Sequence, residues 1–94
     1  MTSMKILTVC GMGLGSSLLL RIGVEDVLRQ LHVEAQVEAV DITTAKAGGA
    51  DLIVTSAQFA EMLEGAGVPL VPIHDYVDRN EMREKLKAAL HIGS

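Results

Sequence analysis

Apolar positions along the chain fall into two kinds of spacing. Short continuous runs at residues 5–10, 51–55 and 68–73 read as buried strands, with Ile6, Leu7 and Val9 in the first and Leu52, Ile53 and Val54 in the second. Residues 35–41 alternate instead, Val37, Ala39 and Asp41 against Gln36, Glu38 and Val40, which suits an edge strand with one wetter face. The run at 68–73 carries Pro69 and Pro72; proline cannot donate to a ladder, so this strand also belongs at an edge. Helical spacing separates these runs. Leu18, Ile22, Val27, Leu28 and Leu31 predict a helix capped by Ser16 or Ser17, with Gly23 a mild weak point. Residues 43–49 read as a loop with room for one helical turn. Ser56 caps a short helix with Phe59, Met62 and Leu63 inward, and Gly65 and Gly67 close it. Asp78, with Glu81 three residues on, resembles a capping box. It opens a last helix through Met82, Leu86 and Ala89 to about Leu90. Lys85, Lys87 and His91 lie toward its C-terminal end, where cations suit the helix dipole.

Strands alternating with helices predict an α/β fold: a small doubly wound four-stranded parallel sheet, order 2-1-3-4, flanked by helices, with residues 1–94 as one domain. In such sheets ligands bind beyond the carboxyl ends of the strands. That edge should gather Cys10; Asp41, Thr43 and Thr44; Thr55 and Ser56; and His74, Asp75 and Tyr76.

Composition narrows the function. The chain has 94 residues, a formal charge of −4 and one cysteine. The acidic balance argues against nucleic acid as a partner. No apolar stretch approaches the length of a membrane span, and the first residues lack the pattern of a secretory leader. One cysteine excludes an internal disulfide, and a reducing cytoplasm is the simplest setting. No His/Cys cluster has zinc spacing, so no metal is expected.

The chemistry centres on CGMGLGSS, residues 10–17. Four readings compete. Gly11, Gly13 and Ser16, with Asp41 after the next strand, approach a dinucleotide fingerprint, but the chain is too short for a catalytic domain as well. A Walker-type loop fails because no Gly-Lys-Ser/Thr follows. The layout is that of a low-molecular-weight cysteine phosphatase, whose loop is C-x5-R-[ST]. Ser16 stands where that arginine would clamp the transferring phosphoryl group, and serine cannot replace it. The fourth reading is a carrier. Successive backbone N–H groups before a helix favour anions, glycines let the backbone wrap closely, and a thiolate at the base is stabilised. Gly11, Met12, Gly13, Leu14, Gly15, Ser16 and Ser17 would hold a phosphoryl group on Cys10 with little means of hydrolysing it.

KILTVCGMGLGSS resembles the IIB components of the phosphoenolpyruvate-dependent sugar phosphotransferase system, best the ascorbate type, whose loop reads C-G-x-G-x-G-S-S. Cys10, Gly11, Gly13, Gly15, Ser16 and Ser17 match it. GGADLIVTS (48–56) and VPIHDYVDRNEMREKL (71–86) resemble more loosely the family's third strand and its last strand and helix. The resemblance implies that Cys10 takes a phosphoryl group from a phosphohistidine on a IIA protein. It passes it to a sugar, L-ascorbate or a relative, carried by a membrane-embedded IIC partner. No cofactor is implied. The location implied is cytoplasmic, at the membrane's inner face through IIC and without direct insertion. The alternative is a phosphatase-like or redox enzyme using the same cysteine. Thr43, Thr55, Ser56 and His74 are candidates for the rim of the site, although a surface histidine and a turn or cap are the commoner fates of such residues. Met12 and Leu14, apolar among glycines, suit an exposed docking rim or a fold back onto the first helix.

Overall fold

The computed structural model describes residues 4–9, 13–65 and 67–90, with side chains throughout except at 13–17. The elements are β1 (Met4–Val9), α1 (Gly13–Gln30), β2 (Ala35–Val40), α2 (Ile42–Lys46), β3 (Leu52–Ser56), α3 (Ala57–Ala60), a turn of 3-10 helix (Glu61–Leu63), β4 (Leu70–Ile73) and α4 (Arg79–Ala89). All strands are parallel, in the order β2-β1-β3-β4. This is the doubly wound arrangement expected from the sequence.

Strand alternation divides the core in two. Ile6, Val37, Leu52, Val54, Val71 and Ile73 point to the face covered by α1 and α4, where they meet Leu20, Val24, Val27, Leu28, Met82 and Leu86. Leu7, Val9 and Ile53 point to the other face and meet Ala45 of α2 and Leu63 of the 3-10 turn. Each fully buried Leu or Ile contributes about 2 kcal/mol by area.

Several local expectations change. The buried stripe of α1 is Leu20, Val24, Val27 and Leu28, whereas Leu18 and Ile22 are exposed. The run Leu18-Leu19-Leu20 supports either phase, and the contact with α4 selects one. Gly23 is the reason rather than a weak point: a Cβ there would lie 2.7 Å from Met82 Sδ and 2.9 Å from Arg79 Nη1. The helices close together at this glycine. Arg79 then bonds Asp26 Oδ2 and the Tyr76 carbonyl, both at 3.3 Å, and Arg83 reaches Gln30 Oε1 at 3.0 Å.

Residues 42–46 form the short helix for which the expected loop left room, opened one residue earlier, because Asp41 Oδ1 accepts the Thr44 N–H at 2.7 Å. Met62 is exposed and only Leu63 of its turn is fully buried, because the 3-10 turn carries Met62 off the inward face. β4 begins at Leu70 rather than Val68. After α1, His32 takes the left-handed backbone, φ 58°, that glycine usually supplies, and the Val33 N–H closes on the Leu28 carbonyl at 2.9 Å.

Candidate functional site at the carboxyl edge of the sheet

Two threonines tie the end of β1 to its neighbours. Thr8 Oγ1 donates to the Glu38 carbonyl of β2 at 3.3 Å, and Thr55 Oγ1 of β3 donates to the Val9 carbonyl at 2.8 Å. Both side chains are buried. The end of β1 is therefore held from both sides. Cys10, Gly11 and Met12 lie outside the described residues.

α1 opens at Gly13, earlier than Ser16. The loop predicted for residues 11–15 thus gives way to helix at Gly13, and neither serine is the N-cap. Gly13, Leu14, Gly15 and Ser16 occupy the first turn, whose N–H groups have no acceptor within a helix. The amides free to meet an anion are those of a helix start. Nothing is described of the side chains of Leu14, Ser16 and Ser17.

The four rim candidates have different fates. Thr43 is exposed on α2. Thr55 cannot form a rim: it is buried and its hydroxyl is spent on Val9. Ser56 Oγ caps α3 by accepting the Phe59 N–H at 3.2 Å. Asp41 is a cap in the same way, and the Thr44 backbone N–H, followed by the Thr44 side chain, holds its carboxyl below the usual range. His74 is exposed and belongs to a cluster.

That cluster centres on Glu81, whose importance the sequence reading missed. Asp78 Oδ1 accepts the Glu81 N–H at 3.0 Å, which is one half of a capping box. The Glu81 carboxylate does not return to Asp78. It turns to the β4–α4 loop, accepting the His74 and Asp75 N–H groups at 2.9 and 3.0 Å and meeting His74 Nδ1 at 2.8 Å. Lys85 Nζ lies 2.7 Å from the same oxygen and also bonds the Pro72 carbonyl, so it serves this loop rather than the end of the helix. Burial pushes the Glu81 carboxyl up, but Lys85 and the His74 and Asp75 groups outweigh it and hold it at about 2. The Glu81–Lys85 spacing was legible as an i, i+4 pair; nothing in the sequence showed that the loop would fold back onto it.

Ser56, Ala57, Gln58, Ile73, His74 and Tyr76 line a depression of about 350 Å³ at the ends of β3 and β4. A larger one, about 530 Å³, lies between α1 and β2 around Leu28, Val33 and Ala35. It opens near the start of β2, away from the strand ends, and holds none of the candidate residues. Among the described residues no three His, Cys, Asp or Glu side chains gather for a metal, and no helix is long and apolar enough to cross a membrane.

Residues 5–88 match the family model of the lactose/cellobiose-specific IIB subunit of the PTS system. The chain belongs to this family. It is therefore a IIB component of a sugar phosphotransferase system. It is 31% identical over 91 residues to the ascorbate-specific PTS system EIIB component of Mycoplasma pneumoniae, covering 94% of this chain and 96% of that one. The lactose-specific IIB domain from Streptococcus pneumoniae superposes with a TM-score of 0.61 at 18% identity, over 96% of this chain and 97% of that one. That likeness concerns the fold, and the shared IIB architecture agrees with the strand order described above.

Proposed function

We propose that this IIB component is a phosphocarrier whose nucleophile is Cys10. It accepts a phosphoryl group from the phosphohistidine of a IIA protein and yields it to a sugar presented by a IIC transporter. The observation that carries this reading is the family match running through the CGMGLGSS loop. The α1 start at Gly13 supports it. Free N–H groups and the positive helix end would stabilise first the thiolate and then the phosphoryl oxygens. Gly11, Met12, Gly13, Leu14, Gly15, Ser16 and Ser17 supply that cradle, chiefly through backbone. No arginine stands at Ser16, so the phosphocysteine persists until it is passed on. Resemblance to the ascorbate-specific relative makes L-ascorbate or a related sugar acid the proposed cargo.

The partners would meet the protein where Leu18, Leu19 and Ile22 stand exposed, in the second and third turns of α1. Apolar side chains at the centre of a patch suit such docking. Residues 1–94 then act as one cytoplasmic carrier unit, reaching the membrane only through IIC.

The test is incubation with phosphoenolpyruvate, enzyme I, the histidine phosphocarrier and a IIA protein, read by mass spectrometry. One phosphate mapped to Cys10, absent in Cys10→Ser, is expected. Phosphate retained by Cys10→Ser on a histidine would overturn the assignment. Rapid turnover of p-nitrophenyl phosphate by the protein alone would replace it with a phosphatase.

A further inference from the structure

The two edges of the sheet are finished differently. At the β4 edge, the Ile53 N–H donates to the Pro69 carbonyl at 3.0 Å. With Ile53 level with Leu70 and Thr55 with Pro72, this turns Pro69, Val71 and Ile73 toward β3 and leaves Leu70 and Pro72 facing outward. Pro72 has no N–H to offer, and its carbonyl accepts from Lys85 Nζ. A strand arriving here would find little more than Leu70. Proline and lysine are common means of closing a sheet edge.

The β2 edge has no such closure. The Lys5 carbonyl accepts the Asp51 N–H at 2.8 Å and the Val9 carbonyl accepts Thr55 Oγ1, so Lys5 and Val9 face β3 and Thr8 faces β2. Thr8 is level with Ala39. A parallel ladder then bonds Gln36, Glu38 and Val40 to β1 and turns Ala35, Val37 and Ala39 outward. The Glu38 carbonyl, which also accepts Thr8 Oγ1, lies on the β1 side as this requires. The N–H and C=O groups of Ala35, Val37 and Ala39 thus face the open side, and among the described residues none of them has a partner. Beside them runs the 530 Å³ depression, where Leu28, Val33 and Val37 lie among Glu25, Arg29 and Glu34.

We propose that β2 is a self-association edge, to which a second copy of this chain adds its own β2, antiparallel, about a two-fold axis at Val37. The occupant follows from the strand itself. Ala35-Gln36-Val37-Glu38-Ala39 reads nearly the same from both ends. Centred on Val37, the pairing sets Ala35 against Ala39 of the second copy and Val37 against its counterpart. All three outward residues of each copy then exchange their N–H and C=O groups. On the opposite face Gln36 stands against Glu38 of the second copy, twice, and a carboxylate accepts from an amide N–H. Slipped by two residues either way, Glu38 would face Glu38 or Glu34 of the second copy, like charges directly opposite each other. Adding β2 to the β4 edge of another copy would build an open filament, and Pro72 and Lys85 bar it. The pairing therefore closes as a dimer and covers Val37 and the adjoining depression. β2 is six residues long, a small contact, so the dimer is a reversible one. The proposal rests on the fold alone and does not depend on the phosphocarrier reading.

Sedimentation velocity and amide hydrogen exchange of the full chain over a concentration series test it. The wild type is expected to pass from one chain to two as concentration rises. In the same series exchange should slow most at the Ala35, Val37 and Ala39 amides, those turned outward. Ala39 is exposed, and Ala39→Pro removes an outward N–H without taking a bond from the β1 ladder. It should weaken association about 10²-fold. Gln36→Glu sets a carboxylate against Glu38 twice and should weaken it about tenfold, and Glu38→Gln added to it should restore the wild-type affinity. This pair of variants decides the matter even where Ala39→Pro misfolds. A chain that stays monomeric at millimolar concentration would overturn the proposal. So would a dimer that survives Gln36→Glu undiminished, with exchange slowed around Leu18, Leu19 and Ile22 instead of β2.

Discussion

The two faces of this sheet are built to different depths. Among the described residues, the face under α1 and α4 gathers twelve buried side chains in one cluster; the opposite face, under α2, α3 and the 3-10 turn, gathers five. The deep face uses two helices of 18 and 11 residues that also contact each other through Gly23 and Met82. The shallow face uses helices of five and four residues that depend on side-chain caps at Asp41 and Ser56. Stability and exposure are thereby divided. The deep face anchors the helix that follows the candidate nucleophile in the chain. The shallow face brings short helix starts to the carboxyl ends of the strands.

The largest expected contrast is between two leucine truncations. Leu20→Ala on the deep face should cost about 4 kcal/mol, and Leu63→Ala on the shallow face about 2 kcal/mol, since a thinner layer can collapse around the lost volume. Denaturant melts measure both, and equal losses would break the comparison. Gly23→Val comes next. It wedges α1 from α4 and should cost about 1–3 kcal/mol. Gly23→Ala should be near neutral, because about 1 kcal/mol of helix propensity offsets the shift of the Met82 thioether.

A further effect is electrostatic. Glu81 is held at about 2, below its ordinary 4.5. A depressed carboxyl stabilises the fold above its unfolded pKa and loses that contribution as pH falls through the folded one. Melting temperature should therefore decline more steeply between about pH 4.5 and 2 in the wild type than in Glu81→Gln. Identical slopes would show that the cluster adds nothing to the stability of the deep face.

The strands were legible because continuous apolar runs bounded by Gly, Ser and Asp have few alternatives, and their alternation with helices implied a parallel sheet, whose expected order 2-1-3-4 is the observed one. The phase of α1 was not legible. Leu18, Leu19 and Leu20 offered two inward faces of equal apolar character, and only the close approach of α4 at Gly23 decided between them. Asp41 was weighed as a ribose ligand or turn residue and proved to be a cap, because the backbone beyond it could close a short helix.

At the site the division is similar. Cys10 and its glycines were singled out by residue type and spacing, and the family match runs through them. Thr55 was placed at the correct strand end, but the side to which its hydroxyl turns is set by the β1–β3 register, and that register buries it. Glu81 was read by its nearest neighbour, Asp78, as half of a box. Its partners are seven and six residues back, where only a folded loop can bring them. The amino-acid sequence by itself determined the elements and their succession along the chain, because those depend on periodicity and on contacts a few residues apart. The tertiary structure decided which helix face is buried, which hydroxyls are spent and which loop groups Glu81 holds, because competing local choices of similar energy are resolved only by long-range packing.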